Sequence, residues 1–402
     1  MRDSIISRLR RKPPAGTLSP PPPGRETGEG RAGGEAQAGS PTQRDYSLIG
    51  RDSKAAVESG LAAAEWYKTD IPRKRMKELM QRSDGPAIRD TLIWFAALAA
   101  FGLGGVLTFG TWWCVPFFLV YGVLYGSASD SRWHECGHGT AFRTRWMNDA
   151  VYQVACFMIM REPTIWRWSH TRHHTDTIIV GRDPELPVPQ PPNLLQIGLS
   201  FIALPSTVKV IRLLFLHASG RLTAEEATYV PEMEAPKVYR TARIWLAIHV
   251  AVIALSLGLG SWLPVLLVGV LPTMYGSWLQ VVFGLTQHAG LAEDVLDHRL
   301  NSRTVYINPV FRFLYWNMNY HIEHHMFPMV PYHRLPELHE IMKPDTPPPL
   351  PSLLAAYREI VPALLRQLRE PHWHLPRTLP PTAKPYRPEL HGAVVATATP
   401  AE

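Results

Sequence analysis

Residues 91–129 read TLIWFAALAAFGLGGVLTFGTWWCVPFFLVYGVLYGSAS and contain no charged side chain. A helix needs about 20 residues to cross the hydrocarbon core of a bilayer, so this stretch is long enough for two spans and too long for one. Residues 244–292 form a second run without Asp, Glu, Lys or Arg. We therefore predict an all-α integral membrane protein with two transmembrane helical hairpins, whose four spans cover about 91–110, 112–129, 244–260 and 263–283.

Tryptophans mark the predicted tips of both hairpins. Trp112 and Trp113 lie at the first tip and Trp262 at the second, which is typical of the aromatic belt at a membrane interface. The alternative is a pair of buried hairpins in a soluble helical protein. Soluble helices seldom run this long without a charge, so the pattern favours the membrane.

Two hairpins place the N-terminal segment, the middle segment 130–243 and the C-terminal segment 293–402 on one side of the membrane. Basic residues flank the first hairpin on that side, and its tip carries none. By the positive-inside rule this side is cytoplasmic. The three cysteines make no pair spacing and fit a reducing compartment. The basic residues are Arg73, Lys74, Arg75, Lys77, Arg82, Arg89, Arg132, Arg143 and Arg145, and the cysteines are Cys114, Cys136 and Cys156.

Composition divides the chain of 402 residues, whose formal charge is +7, into three parts. We predict a disordered, basic, Pro/Gly-rich tail over 1–50, a membrane domain over 60–345 and a Pro-rich C-terminal tail over 346–402. The first tail has no apolar core of a secretory signal peptide. The charge would suit nucleic acid or an anionic membrane, and the apolar runs favour the membrane, so no nucleic-acid partner is expected.

Eight of the 17 histidines fall into three tight groups on the predicted cytoplasmic side. The first group is an i, i+4 pair, and the other two are i, i+3, i+4 triplets, offsets that bring imidazoles onto one helix face. A ninth candidate, in GLTQHAG, comes just after the fourth predicted span. The groups are His134 and His138; His170, His173 and His174; and His321, His324 and His325; the ninth residue is His288.

The segment from His134 to His138 has the His-Glu-x-x-His spacing of zinc proteases, in which Glu135 would be the general base. The extended protease pattern fails, because Ala141 and Thr144 stand where Gly and His are needed. Eight or nine clustered imidazoles also exceed the four ligands of one zinc ion. The pattern indicates a dinuclear site, for which iron, copper, zinc and nickel are all suitable.

The three groups, separated by paired spans, resemble the histidine boxes of the membrane fatty acid desaturase and hydroxylase superfamily over roughly residues 60–345. The resemblance implies a helical cytoplasmic domain with a non-haem diiron centre: two iron ions held by the box histidines and one extra histidine, here His288. Residues 286–328 are also similar to bacterial desaturase-like proteins of rhizopine breakdown and rhizobitoxine synthesis. Gly284 departs from the stearoyl-type branch, which has asparagine there.

The resemblance implies an oxidoreductase that uses O2 and two external electrons to desaturate a C–C bond of a fatty-acyl or lipid-like substrate. The alternatives are a monooxygenase or desaturase of a small secondary metabolite and, from another class, a membrane zinc metalloprotease or a metal transporter. Four carboxylates are candidates to orient ligand imidazoles, with helix caps, turns or solvated faces as alternatives. They are Glu135, Asp183, Asp297 and Glu323.

The sequence contains no Cys-rich iron–sulfur pattern, no haem-binding His-Pro-Gly-Gly run and no Gly-rich nucleotide loop after a strand. We therefore expect a separate ferredoxin or Rieske-type electron donor with its reductase. The basic cytoplasmic face could dock such an acidic partner. The expected location is the bacterial inner membrane, with the termini and the active site in the cytoplasm.

Overall fold

The structure is a computed structural model that describes residues 44–62, 64–186 and 188–386. Regular secondary structure in these ranges is helical, and β-pairing there is limited to two isolated bridges, Thr304 with Tyr320 and Val305 with Leu350. The prediction of an all-α fold is confirmed for the described residues. Most of the predicted N-terminal tail, 1–43, and the end of the predicted C-terminal tail, 387–402, lie outside them.

The α-helices are numbered here in chain order. They are α1 (Arg51–Glu58), α2 (Arg73–Leu79), α3 (Asp84–Leu107), α4 (Cys114–Gly122), α5 (Ala128–Gly137), α6 (Arg145–Met158), α7 (Pro163–Thr175), α8 (Leu194–Ser200), α9 (Leu204–Ala218), α10 (Ala235–Leu259), α11 (Leu263–Leu267), α12 (Val270–Gly276), α13 (Trp278–His288), α14 (His298–Asn301), α15 (Pro309–Tyr315), α16 (His321–Met326), α17 (Leu335–Met342) and α18 (Leu353–Gln367).

The first predicted hairpin consists of α3 and a long helical segment that begins at Cys114. With 24 residues and a rise of 1.5 Å per residue, α3 is about 36 Å long. The second segment runs from α4 through a π-helical turn, Val123–Ser127, directly into α5. At the tip, Trp112 and Trp113 are 90% and 74% exposed, as expected of interfacial tryptophans.

The second predicted hairpin is less regular, because α11, α12 and α13 replace the continuous span predicted at 263–283. Gly269 has a φ of +96°, a left-handed conformation that ends one helix before the next begins. Pro272 has no N–H with which to continue α11 into α12. A prediction from apolar length alone could not detect this break.

Two helical segments in the described part of the chain are long and apolar enough to cross a membrane by themselves. They are Arg73–Leu107, which contains α3, and Glu232–Leu259, which contains α10. The bent pair α8 and α9, which turns by 77°, would add a third if it formed one span. Helix length and composition therefore support two spans, where the sequence predicted four.

Small residues lock the broken segment onto the first hairpin. A Cβ atom added to Gly276 would lie 1.8 Å from the carbonyl oxygen of Gly122, so the two backbones touch. The Ser127 hydroxyl donates to the Gly276 carbonyl at 2.6 Å and accepts from the Gln280 N–H at 2.9 Å. These contacts fix α13, the helix that ends at His288, against the start of α5.

Part of the stretch predicted as a Pro-rich tail is helical and packed. Tyr357 on α18 donates its hydroxyl proton to the Val282 carbonyl at 2.8 Å, and farther on the Leu375 N–H donates to the Gly290 carbonyl at 2.8 Å. Apolar residues spaced by three to four positions, including the fully buried Ile360, cover the end of α13. Most of the prolines that suggested a tail lie on the flanks of this helix, which itself contains one, Pro362.

Candidate metal centre

Four helices deliver the nine predicted histidines to one place. α5 carries His134 and ends just before His138, and α13 ends at His288; α7 and α16 carry the two triplets. The start of α7 is fixed by Glu162, whose side chain accepts a hydrogen bond from the Ile165 N–H at 2.7 Å, and by Pro163 in its first turn.

Five of these histidines form a first cluster, the five-histidine group. Nitrogens of all five lie within 4.8 Å of one another. Their Nε2 atoms face each other at 2.7 Å for His134 and His324, at 3.1 Å for His134 and His170, and at 3.2 Å for His174 and His324. The members are His134, His138, His170, His174 and His324.

The remaining four histidines form a second cluster, the four-histidine group. Ring nitrogens of His173, His288 and His325 lie within 4.8 Å of one another. The Nε2 atom of His321 lies 2.9 Å from that of His288 and 3.0 Å from that of His325. All four side chains are buried. The structure thus brings all nine predicted histidines together and divides them into two adjacent sets of converging nitrogens.

Contacts at the opposite ring nitrogens set the protonation of three of these imidazoles. Nδ1 of His288 lies 2.8 Å from the backbone carbonyl of Asn301, which can only accept, so this nitrogen carries the proton. Carboxylates face the Nδ1 atoms of His170 and His173: Glu185 at 2.9 Å and Asp183 at 2.8 Å. The Nε2 atom of each ring is therefore left with its lone pair directed into the cluster.

Burial also favours the neutral form of most of the clustered histidines. Burial and the neighbouring imidazoles hold the pKa values of His134, His138 and His324 well below the ordinary range for histidine. His173 differs: burial alone would lower its pKa, but the adjacent Asp183 carboxylate raises it above the ordinary value. The clusters are thus built mainly from neutral imidazoles, the form that binds metal ions.

This donor set fits metal ions better than it fits an internal hydrogen-bond network. Unprotonated nitrogens about 3 Å apart repel each other unless a proton or a cation lies between them, and the Nδ1 contacts of His170, His173 and His288 place the protons of these rings on the outside. Nine imidazoles in two sets match two transition-metal ions, since one zinc ion takes only about four ligands.

The four carboxylates predicted to orient ligand imidazoles differ in their contacts. Asp183 contacts the cluster directly, at His173. Glu135 lies 3.5 Å from Nδ1 of His324, longer than a normal hydrogen bond, and instead accepts from the Tyr332 N–H at 3.1 Å. Burial raises the pKa of Glu135 to about 8.

Asp297 and Glu323 bind other partners. Asp297 caps α14 by accepting from the Arg299 N–H at 2.9 Å and forms an ion pair with the Arg299 side chain at 2.7 Å. Glu323 lies 2.5 Å from Nδ1 of His339, outside the cluster, and accepts from the Thr304 hydroxyl at 2.6 Å. The helix-cap alternative thus describes Asp297 correctly.

Three contacts to the cluster were missed by the sequence reasoning. Glu185 stands two residues after Asp183 in GRDPELP, and the same argument from carboxylates beside box histidines could have identified it. The Asn301 contact comes from a backbone carbonyl, so the residue type at this position gives no sequence signal for it. Thr177, whose hydroxyl lies 3.3 Å from Nδ1 of His325, has a similarly weak sequence signal.

Comparison with known proteins agrees with this geometry. The profile of a family described as fatty acid desaturase matches residues 110–355, more than half of the chain. Similar proteins include an sn-1 oleoyl-lipid 12-desaturase of Synechocystis sp., 28% identical over 108 residues, which are 27% of this chain and 30% of that protein.

Two plant proteins are similar over shorter segments. A Delta(12)-acyl-lipid-desaturase of Punica granatum is 35% identical over 92 residues, 22% of each chain. An omega-6 fatty acid desaturase, endoplasmic reticulum isozyme 1, of Glycine max is 35% identical over 75 residues, 18% of this chain and 19% of that one. The matched segments thus span less than a third of the length of each relative.

Proposed function

Because the chain belongs to the fatty acid desaturase family, we propose that it is a membrane-bound diiron oxidase that introduces a double bond into the fatty-acyl chain of a lipid. The observation that carries this proposal is the division of nine converging imidazoles into two sets. The names of the similar proteins, all desaturases of acyl lipids or fatty acids, support the substrate class.

Iron fits both sets of donors. The five-histidine group would hold one ion and the four-histidine group the other. Two bound ferrous ions supply the reduction of O2 and the oxidising power to remove hydrogen from an unactivated C–H bond. The chain's own task is orientation: Glu185 and Asp183 hold the protons on Nδ1 of His170 and His173, so that both Nε2 lone pairs point inward.

We infer that the protein crosses the membrane with both hairpins, as its sequence predicts. The second hairpin would then be completed by α11, α12 and α13 together, since the contact of Gly276 with Gly122 holds this broken segment beside α4. Apolar side chains on the outer faces of α3 and α10, such as Leu92 at 63% and Leu257 at 78%, are exposed as lipid contacts would require. The histidine clusters would lie on the cytoplasmic side of a bacterial inner membrane.

The required electrons would come from a separate ferredoxin or Rieske-type protein with its reductase, because the sequence carries no redox cofactor motif of its own. A small secondary metabolite is the alternative substrate. No contact among the described residues favours it. The zinc-protease alternative is disfavoured, since Glu135 faces Tyr332 and Thr140 and lies outside the ring of Nε2 atoms.

Metal analysis and turnover of the purified protein test this function. We expect about two irons per chain and a new double bond in an acyl lipid when ferredoxin, its reductase and O2 are supplied, detected by mass spectrometry of the released fatty acids. Zinc alone, or unchanged lipid with iron fully loaded, would contradict the proposal. Substitution His170→Ala should abolish turnover, and His372→Ala, at an exposed histidine outside both groups, is the matched control.

A further inference from the structure

A cavity of about 350 Å³ opens beside the five-histidine group. His138 belongs to both: its Nε2 atom lies 3.1 Å from that of His170, and its side chain lines the cavity. His138 and His174 are partly exposed, whereas the other members of that group are buried. The cavity is therefore a place where a candidate metal ligand can be reached from solvent.

Positive charge surrounds this opening. Three arginines line the cavity, Arg82, Arg145 and Arg167, together with one carboxylate, Asp149. Asp149 lies 3.4 Å from Arg167 and 4.0 Å from Arg145, and the Arg145 side chain is 94% exposed. Three guanidinium groups against one carboxylate leave an excess of two positive charges, which attracts an anionic partner. A tryptophan, Trp146, follows Arg145 and is 66% exposed.

The position of the cavity relative to the bilayer decides whether it faces lipid headgroups or a soluble partner protein. The strongly exposed apolar surface of α3 begins at Leu92, eight residues or about 12 Å along the helix from Asp84. The headgroup layer is only about 5–8 Å thick on each side. Thr144 binds Asp84 through its N–H at 2.8 Å and its hydroxyl at 2.7 Å, which places the start of α6 at the same depth. The cavity thus lies beyond the headgroups.

The contacts of helix α6 support this position of the cavity. Its far end approaches the second hairpin, where the Phe157 ring lies 5.6 Å from the Trp245 ring of α10. Arg145 and Trp146 lie at the opposite end of α6 from this contact. An exposed tryptophan among arginines, out of reach of the lipid, has the composition of a protein-binding hot spot.

We propose that an acidic electron-carrier protein docks on the surface formed by Arg82, Arg145, Trp146 and Arg167, the carrier-docking surface, and that electrons enter through His138. This inference rests on the proposed function. Each encounter would oxidise one reduced carrier of the ferredoxin class and deliver one electron, so two encounters supply the two electrons of a turnover. Arginine excess speeds and orients the encounter, and the tryptophan adds apolar contact area.

Direct binding tests the surface without turnover. An oxidised plant-type ferredoxin would be titrated against the full chain in lipid nanodiscs, both metal-free and iron-loaded, in 25 mM and 200 mM NaCl (about a threefold change in Debye length). In low salt, Arg82→Gln combined with Arg145→Gln should weaken binding by about tenfold and reduce its salt dependence. Trp146→Ala should weaken binding at both salt concentrations, because its contribution is apolar.

The matched control removes charge elsewhere on the same side. Arg73→Gln combined with Lys74→Gln, two exposed positions on α2, should leave ferredoxin binding within about twofold of wild type. In turnover assays the docking variants should raise the KM for ferredoxin and leave both kcat and the KM for lipid unchanged.

Two results would overturn the inference. Unchanged ferredoxin binding in the double-arginine variant removes the docking surface, and a raised KM for lipid with unchanged ferredoxin binding makes the cavity a headgroup site. If the wild-type chain binds ferredoxin here but desaturates no lipid, the proposed substrate fails and the docking surface stands. If the iron-loaded double-arginine variant desaturates lipid with an unchanged KM for ferredoxin, only the docking surface fails.

Discussion

The five-histidine group and the four-histidine group differ in their access to solvent. His138 and His174 of the first group are partly exposed, and an open cavity reaches His138. The second group is enclosed: His321 and His325 are 2% and 3% exposed, and the Asp183 side chain behind His173 is fully buried. The difference suggests a division of labour, in which electrons arrive at the first group and the second is held rigidly.

Substitution of one histidine in each group gives the largest expected effect. His325→Ala leaves three nitrogens in the four-histidine group, and His138→Ala leaves four in the other. Both variants should lose at least about 100-fold in desaturation rate, since even residues behind ligands often cost that much. Iron content, measured by mass spectrometry of the metal, should fall further in His325→Ala. Wild-type turnover in either variant would contradict the proposed ligands.

A glycine tests how the enclosed group is held in place. In Gly276→Ala the new methyl group would meet the Gly122 carbonyl, so α12 and α13 must shift, and with them His288. We expect a loss of about 3 kcal/mol in stability, seen as a lower thermal midpoint in detergent. Gly284→Ala on the next helix, α13, is the control, because its added Cβ has no atom within 4 Å. Equal midpoints for the two variants would show that the close approach is not stabilising.

The two carboxylates that contact ligand histidines should differ in their effect on iron binding. Asp183, beside the enclosed four-histidine group, should matter more than Glu185, beside the five-histidine group. Asp183→Asn and Glu185→Gln should each weaken iron binding by about 10- to 100-fold, measured by competition with a chelator. The effect should be larger for Asp183, which also accepts from the Ile178 and Glu185 N–H groups at 2.8 Å and has no exposed surface. A larger loss for Glu185→Gln would reverse the proposed order of rigidity.

Much of the candidate centre could be predicted from sequence, because its histidines repeat at helical spacing. The division into two groups follows from the same geometry. At about 100° per residue, position i+4 lies about 40° to one side of position i, and position i+3 about 60° to the other. Accordingly His170 and His174 belong to one group and His173 to the other, and His321 and His325 are separated from His324 in the same way.

Other features needed tertiary information. The break at Gly269 depends on a left-handed backbone conformation that an apolar run does not reveal. The Asn301 carbonyl that fixes His288 has no side-chain signature. Helix α18 was missed because prolines around it outweighed its apolar spacing. Local periodicity thus predicted the ligand helices, whereas the contacts that hold them come from distant segments.

Glu135 gives the smallest expected effect and distinguishes the proposed oxidase from a protease. Its carboxyl group lies on the outer, Nδ1 side of His324, bound by Tyr332 and Thr140, and burial raises its pKa to about 8. The amide oxygen in Glu135→Gln can still accept from the Tyr332 N–H and the Thr140 hydroxyl, and the side chain keeps its shape. We expect kcat for desaturation to change by less than about threefold. A zinc protease would lose peptide hydrolysis in the same variant, because its general base would be gone. For the oxidase, a collapse of kcat for desaturation with normal iron content would show that Glu135 takes part in proton transfer after all.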